Sequence, residues 1–385
     1  MRIAFVHSFY RSGMPSGENV AVLQQAKALE RAGVEIVEIF RSTDEESIKP
    51  LHKARSAIHL ATGIDGGHVG QQLRRANVDL VHVHNLWPNF GTRWLRHLKQ
   101  PVITTVHNFR YACANGLLFR GGTTCIECPT SGSWAAVKHR CYHDSVMGSI
   151  PAALATMGGV QRNPVVQNSR VLVTQSRRVH DFMLTQGLAK SRLEYIPGFV
   201  EESPGTRDPV PRNPRFVFVG RPTPEKGLRE LLLSWPSSLP LDVFGASANE
   251  WGPLPASVTL RGYLDRDELL RELPRYTALV FPGMAWEGAY PLAVREALAA
   301  GLPVVARDGT GAADLVLESR AGTVYEAEKE HSLARALFDV IKHNAVLRKE
   351  AHTFFQDQLS EQRWLTKIFA AYRGAMRGTE RPFSD

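Results

Sequence analysis

The chain has 385 residues, 43% of them hydrophobic and 22% charged, with ordinary glycine and proline contents. That is enough for two medium domains with cores of their own, and it excludes a disordered tail, a collagen or a small disulfide scaffold. The net charge of +8 is lopsided: up to Phe199 there are 23 Lys and Arg against 13 Asp and Glu, and beyond it 23 against 25.

A basic first half attracts an acidic partner, such as a phosphate-bearing substrate or an anionic lipid surface. No zinc-finger histidine pair, aromatic RNA-binding signature or basic heptad helix accompanies the charge, so nucleic acid is not the expected partner. The longest uncharged run, between Asp144 and Arg162, is interrupted by Gly148, Pro151, Gly158 and Gly159 and does not suit a bilayer span. The apolar stretch Ile3 to Val6 is far shorter than a signal-peptide core, so the expected location is cytoplasmic, where thiols stay reduced.

Ile3 to His7 reads as a buried strand, followed by a loop through Gly13, Pro15 and Gly17. A helix with apolar residues at Val20, Leu23, Ala26 and Leu29 then runs to Gly33. Val34 to Phe40, Val78 to His84, Val102 to His107, Val171 to Thr174 and Leu193 to Ile196 continue as strands. This βαβ rhythm predicts a parallel sheet wrapped by helices. Pro and Gly gather between Glu201 and Pro214, which reads as an exposed connection. The rhythm restarts with Phe216 to Gly220, Leu241 to Phe244, Val258 to Leu260, Ala278 to Phe281 and Val304-Val305. A final helix is expected from Glu361 to Met376 through Trp364, Ile368 and Tyr372.

The expected domains are therefore residues 1–199 with a Cys-rich insertion at 113–141, a linker at 200–214, a second domain at 215–360, and a helix and tail at 361–385. Two facing doubly wound α/β domains leave a cleft, and ligands of such sheets bind beyond the carboxyl ends of strands.

Gly220-Arg221-Pro222-Thr223-Pro224-Glu225-Lys226-Gly227 follows the first strand of the second domain. Two cations at a strand-to-helix junction can neutralise a diphosphate, although Glu225 could simply pair with them in a solvated loop. After Phe281-Pro282 comes Glu287-Gly288-Ala289-Tyr290 and a helix carrying Arg295-Glu296. Backbone N–H groups at Gly288, Ala289 and Tyr290 near a helix start make an anion site. Glu287 and Glu296 can accept hydrogen bonds from the vicinal hydroxyls of a sugar ring and a ribose; as plain alternatives they are a helix cap and a surface carboxylate.

Gly220-Arg221 to Lys226-Gly227, Glu287 to Glu296, and Ala299-Ala300-Gly301-Leu302-Pro303-Val304 resemble the retaining glycosyltransferases of family 4 (GT-B fold, glycosyl transferases group 1). So do Ser16-Gly17-Glu18, Asp79 to Asn85 and Thr104-Thr105-Val106-His107-Asn108. The resemblance implies two Rossmann-like domains and transfer of a sugar from a nucleoside diphosphate to an acceptor hydroxyl or amine with retention. Arg221 and Lys226 would hold the donor diphosphate, Glu296 the ribose and Glu287 the hydroxyls of the transferred sugar. Gly17 would let the loop backbone approach the phosphate, and His107 would face the donor sugar near the reacting carbon. Eight residues stand between Glu287 and Glu296 where the family usually has seven, and Ser16-Gly17 replaces paired glycines.

Asp265-Arg266-Asp267 matches a metal-holding aspartate motif of another glycosyltransferase fold, but its context favours Asp267 as a helix N-cap. His82 and His84 share one face of a strand, where packing is preferred to metal ligation. Cys113, Cys125, Cys128 and Cys141 lie in a glycine-rich loop, where a structural zinc is expected in preference to reduced free thiols; a catalytic zinc is not expected, because four thiolates leave no open position. Val146, Ile150, Leu154, Met157 and Val160 form an apolar stripe that suits core or cleft lining better than contact with a membrane surface. A nucleotide-sugar epimerase and a non-catalytic nucleotide-sugar binder are the competing functions. The acceptor, whether lipid-linked glycan, polysaccharide or small metabolite, is not legible.

Overall fold

The computed structural model describes residues 1–13, 16–66, 68–202, 213–247, 251 and 254–377. Pro15 and most of the expected 200–214 connection lie outside the described residues. Two compact units emerge. The first comprises Met1–Arg120, Cys125–Ile196 and Leu365–Asp385, and the second Gly121–Thr124 and Pro197–Trp364.

In the first unit the strands are β1 (Arg2–Phe9), β2 (Glu35–Ser42), β3 (Leu80–Val83), β4 (Val102–Val106), β5 (Val171–Thr174) and β6 (Leu193–Tyr195). All pair in parallel in the order β2-β1-β3-β4-β5-β6, with Ile3 opposite Leu80 and Val6 opposite both Val83 and Ile39. The chain reverses direction across the sheet between β1 and β3, so the loops leaving those two strands diverge and open a crevice at their carboxyl ends.

The helix after β1 spans Gly17–Arg31 and is started by Ser16, whose hydroxyl accepts the Asn19 N–H. Its buried face is Ala21, Val22, Gln25, Ala26, Ala28 and Leu29, whereas Leu23, expected inside, is 41% exposed. The small residues sit against the sheet because they let the helix approach it closely.

The helix Val146–Thr156 also turns small residues inward, here against the helices His52–Thr62 and Ala135–Lys138. It buries Ser149, Ala152, Ala153 and Thr156, while Val146 and Met157 of the expected apolar stripe are exposed. The final helix runs Glu361–Arg377 and buries Trp364, Ile368 and Tyr372 as expected. Its Tyr372 hydroxyl lies 2.8 Å from Nδ1 of His82, which roots this last helix in the sheet of the first unit.

The second unit contains β7 (Phe216–Val219), β8 (Leu241–Phe244), β9 (Val258–Gly262), β10 (Ala278–Phe281), β11 (Val304–Arg307) and β12 (Gly322–Tyr325). Their order, β9-β8-β7-β10-β11-β12, is again wholly parallel and reverses between β7 and β10. Phe216, Phe218, Val243, Val280 and Val305 fill the core below. The edge strand β12 is not legible in the sequence. Gly322 sits opposite Val304, where any Cβ would collide with the Val304 carbonyl, so the residue that permits the pairing is also the one that weakens the strand signal. Among the described residues no helix is long and apolar enough to cross a membrane.

Burial of unprotonated histidines in the first sheet has a measurable consequence. His82 and His84 stack at 4.2 Å, and His82 is bonded to Tyr372 and Thr105 within a dry core. Burial lowers His7 to about 4 and His82 to about 3, and it holds His84 well below the usual imidazole range. The unfolded chain therefore takes up protons from pH 6.5 downward that the folded chain refuses. The stabilisation is complete above pH 6.5 and is lost as pH falls through the folded values.

Glu18, Glu287 and Glu296 are raised by burial and act in the opposite sense above about pH 4.5. Below that pH the histidines dominate, each removing about 1.4 kcal/mol per pH unit. Melting temperature is expected to fall steeply between pH 4.5 and 3, and less steeply in His82→Gln, which retains polar partners for Tyr372 and Thr105. Equal slopes in the two proteins would show that His82 is not a source of the acid lability.

Candidate active site

In the second unit the crevice between β7 and β10 is bounded by the two loops that leave those strands. They are tied together. The Met284 N–H donates to the Glu225 carbonyl at 2.9 Å, and Gly227, at φ +68, passes so close to the Pro282 carbonyl that a Cβ would strike it. The join brings Lys226 over the β10 loop, where Nζ lies 2.5 Å from Oε1 of Glu287 and 5.3 Å from the Phe281 ring centroid. The Lys226 and Glu287 side chains keep 23% and 16% of their exposure, so the pair is partly dry yet reachable. Burial raises the Glu287 carboxyl against the pull of Lys226, and its Oε2 is buried without a partner.

Arg221 is half-buried and has no carboxylate partner among the described residues. Gly220 is held to β8 through its N–H, which donates to the Phe244 carbonyl at 3.1 Å.

The helix Leu292–Ala299 begins immediately beyond Gly288, Ala289 and Tyr290, and its N-cap, Pro291, supplies no side-chain bond. Its first N–H groups therefore keep their affinity for an anion. Arg295, fully buried, donates from Nε to the Tyr290 carbonyl at 3.1 Å and holds the turn in place. A second helix, Gly311–Ser319, starts against the backbone of Glu287. With eight residues between it and Glu296, Glu287 lies in reach of Lys226.

Glu296 is 3% exposed and accepts from Nε of Arg266 at 2.7 Å, while Nη1 of Arg266 lies 3.2 Å from Glu201. Burial raises the Glu296 carboxyl, and Arg266 opposes the shift. The helix carrying Arg266 runs Arg266–Glu272 and is capped by Asp265, which accepts the Glu268 N–H at 2.8 Å, and not by Asp267. The Asp265-to-Glu268 spacing matches a capping box, and moving the cap forward releases Arg266 to reach Glu296. The ion pair links positions thirty residues apart and left no mark in the sequence pattern.

In the first unit Gly17 is exposed at the start of its helix. Glu18 beside it accepts from the Tyr10 hydroxyl at 3.3 Å and the Asn108 amide at 3.2 Å, and burial raises it to about 7. His107 directly follows β4 and is largely buried. The Gln175 amide donates to His107 Nδ1 at 2.9 Å, so Nε2 of His107 carries the proton toward Nδ1 of His84 at 3.0 Å. That ordering leaves the buried Nε2–H of His84 without a partner. Tyr10, Arg110 and Gln175 escaped the sequence reading because each reaches this cluster from a separate loop.

Cys113, Cys125, Cys128 and Cys141 are free thiols, and Cys113 lies 2.9 Å from Asn115 Oδ1. Burial and the other three thiols push Cys128 up to about 12, which keeps it protonated. Among the described residues no group of three or more His, Cys, Asp or Glu is arranged to hold a metal ion, so the zinc expectation finds no support in the geometry.

A family model described as Glycosyltransferase Family 4 matches residues 15–203, and one described as Glycosyl transferases group 1 matches residues 213–343. A sucrose-phosphate synthase from Thermosynechococcus elongatus shares the fold with a TM-score of 0.65 at 16% identity, over 98% of this chain and 99% of that one. Anabaena HepE in complex with UDP superposes with a TM-score of 0.62 at 15% identity, over 97% and 100% of the two chains. A glycosyltransferase from Rickettsia africae gives 0.65 at 14% identity, over 98% and 99%. A sequence search of curated proteins finds no significant match. The two family models and the shared fold together support a glycosyltransferase of GT-B architecture.

Proposed function

We propose that the chain transfers a sugar from a nucleoside diphosphate to an acceptor hydroxyl or amine with retention of configuration. The observation that carries this reading is the Lys226–Glu287 pair beside the uncapped start of Leu292–Ala299. Arg221, Lys226 and the N–H groups from Gly288 to Tyr290 neutralise the diphosphate, Glu287 receives hydroxyls of the transferred sugar, and Glu296 receives the ribose. Gly17 admits the phosphate to the loop after β1, and His107 faces the sugar. Anabaena HepE is described in complexes with UDP and UDP-glucose, which supports a nucleotide-sugar donor here as well.

In the reaction the bond from the sugar anomeric carbon to the diphosphate oxygen breaks, and a bond from the acceptor to that carbon forms on the same face. The departing phosphate oxygen takes the acceptor proton. Negative charge grows on the diphosphate as it leaves, and preorganised cations and amides stabilise it most at that moment.

Screening nucleoside diphosphate sugars against the full chain tests this without an acceptor. One donor is expected to raise the melting temperature and to be hydrolysed slowly to free nucleoside diphosphate. If no nucleotide sugar shifts melting and none releases its diphosphate, the reading fails.

A further inference from the structure

The first unit contains a cavity of about 500 Å³, within the roughly 300–1,000 Å³ range of small-molecule sites. It opens beyond the carboxyl ends of β3 and β4, where His84, Asn85, His107 and Asn108 form part of its wall. Arg93, Arg96, Arg110 and Arg162 line it, and no Asp or Glu is among its lining residues. Arg93, Arg96 and Arg162 are exposed, and Arg110 is half-buried.

Arg110 lies over the Trp87 ring, 4.9 Å from its centroid, and its buried Nε has no partner. The unpartnered Nε2 of His84 belongs to the same wall. The carboxylate acting on Arg110 is Glu18, which burial raises to about 7. Four guanidinium groups on a concave wall with no carboxylate among its described lining residues call for an anion, and guanidinium forks fit phosphate oxygens best.

The geometry points to an acceptor that carries a phosphate ester or diphosphate, seated in this cavity with its anionic group among Arg96, Arg110 and Arg162 and its body against Trp87. The inference rests on the glycosyltransferase reading and assigns that reaction a substrate class. The half-buried Trp87 face suits a sugar ring or a prenyl chain equally, so the source of the phosphate is left to the experiment.

Inorganic pyrophosphate is titrated calorimetrically into the full chain and into Arg221→Ala/Lys226→Ala, which lacks the two cations of the second unit. Binding is expected to persist in that variant and to weaken about tenfold in Arg96→Gln/Arg162→Gln, whose exposed positions spare the fold. Arg110→Gln is expected to weaken it at least as much.

Glucose 6-phosphate and farnesyl diphosphate are then competed against the bound pyrophosphate. Displacement by the first identifies a soluble sugar phosphate, and displacement by the second a lipid-borne one. Displacement by neither overturns the proposal. So does binding that vanishes with Arg221 and Lys226 yet ignores Arg96 and Arg162. UDP is titrated in parallel. Loss of UDP binding in every protein, with pyrophosphate still held by the arginines, would strike the donor reading and leave the cavity assignment standing.

Discussion

Lys226→Ala is expected to lower turnover by roughly a hundred- to a thousandfold, the effect of deleting one preorganised charge aimed at a leaving group. In the free chain this ammonium is balanced by Glu287 at 2.5 Å, so its removal also leaves a carboxylate that burial already raises. Without Lys226 that carboxyl would rise further, and because it keeps 16% of its exposure the structural damage is expected to be a modest fall in melting temperature. Lys226 sits in the short turn Pro224–Lys226, held by backbone bonds that the substitution does not touch. Lys226→Arg, retaining a cation, is expected to recover part of the rate. Wild-type turnover in the alanine variant would remove Lys226 from the reaction.

The second large effect falls on donor affinity. Glu296→Gln is expected to raise the donor KM about tenfold to a hundredfold, equivalent to about 1.4–2.7 kcal/mol, with kcat changed by less than about threefold. Glu296 is 3% exposed and shares Arg266 with Glu201, so an incoming ribose meets a carboxylate already oriented by a guanidinium. The amide preserves the shape and one acceptor oxygen but loses the charge that strengthens the hydrogen bond. A binding role lost equally from ground and transition states appears in KM alone. The opposite pattern, an unchanged KM with a collapsed kcat, would move Glu296 from holding the ribose to the chemical step.

The two predictions differ in how far the sequence alone could support them. Arg221, Lys226 and Glu287 were visible as chemistry-bearing residues in loops after strands, and Glu296 on the helix that follows, because strand ends and Gly-Pro punctuation are local signals. Nothing local showed that Lys226 would meet Glu287: that contact needs Gly227 to pass beneath the Pro282 carbonyl and the Met284 N–H to join the two loops. The Arg266–Glu296 pair arises on a helix whose cap lies two residues earlier than the one expected, at Asp265 and not Asp267. In the first unit, Glu18 belonged to a recognised motif, yet its elevated carboxyl is the product of burial, which Arg110, Asn108 and Tyr10, arriving from other loops, oppose only in part. The cavity arginines looked like ordinary surface charge, since which cations share one wall is a property of packing.

Periodicity and strand-ending residues determined two parallel α/β sheets and a final helix anchored by Trp364, Ile368 and Tyr372, because burial of alternating or stripe-patterned apolar groups is settled within a few residues of chain. Tertiary structure decided which helix faces went inward, favouring small side chains over Leu23 and Met157, because close packing against a neighbouring element rewards fit as well as hydrophobicity. It also decided which charges were neutralised and which were left to a ligand. Electrostatic pairing acts through space between residues far apart in the chain, and no local pattern encodes that distance.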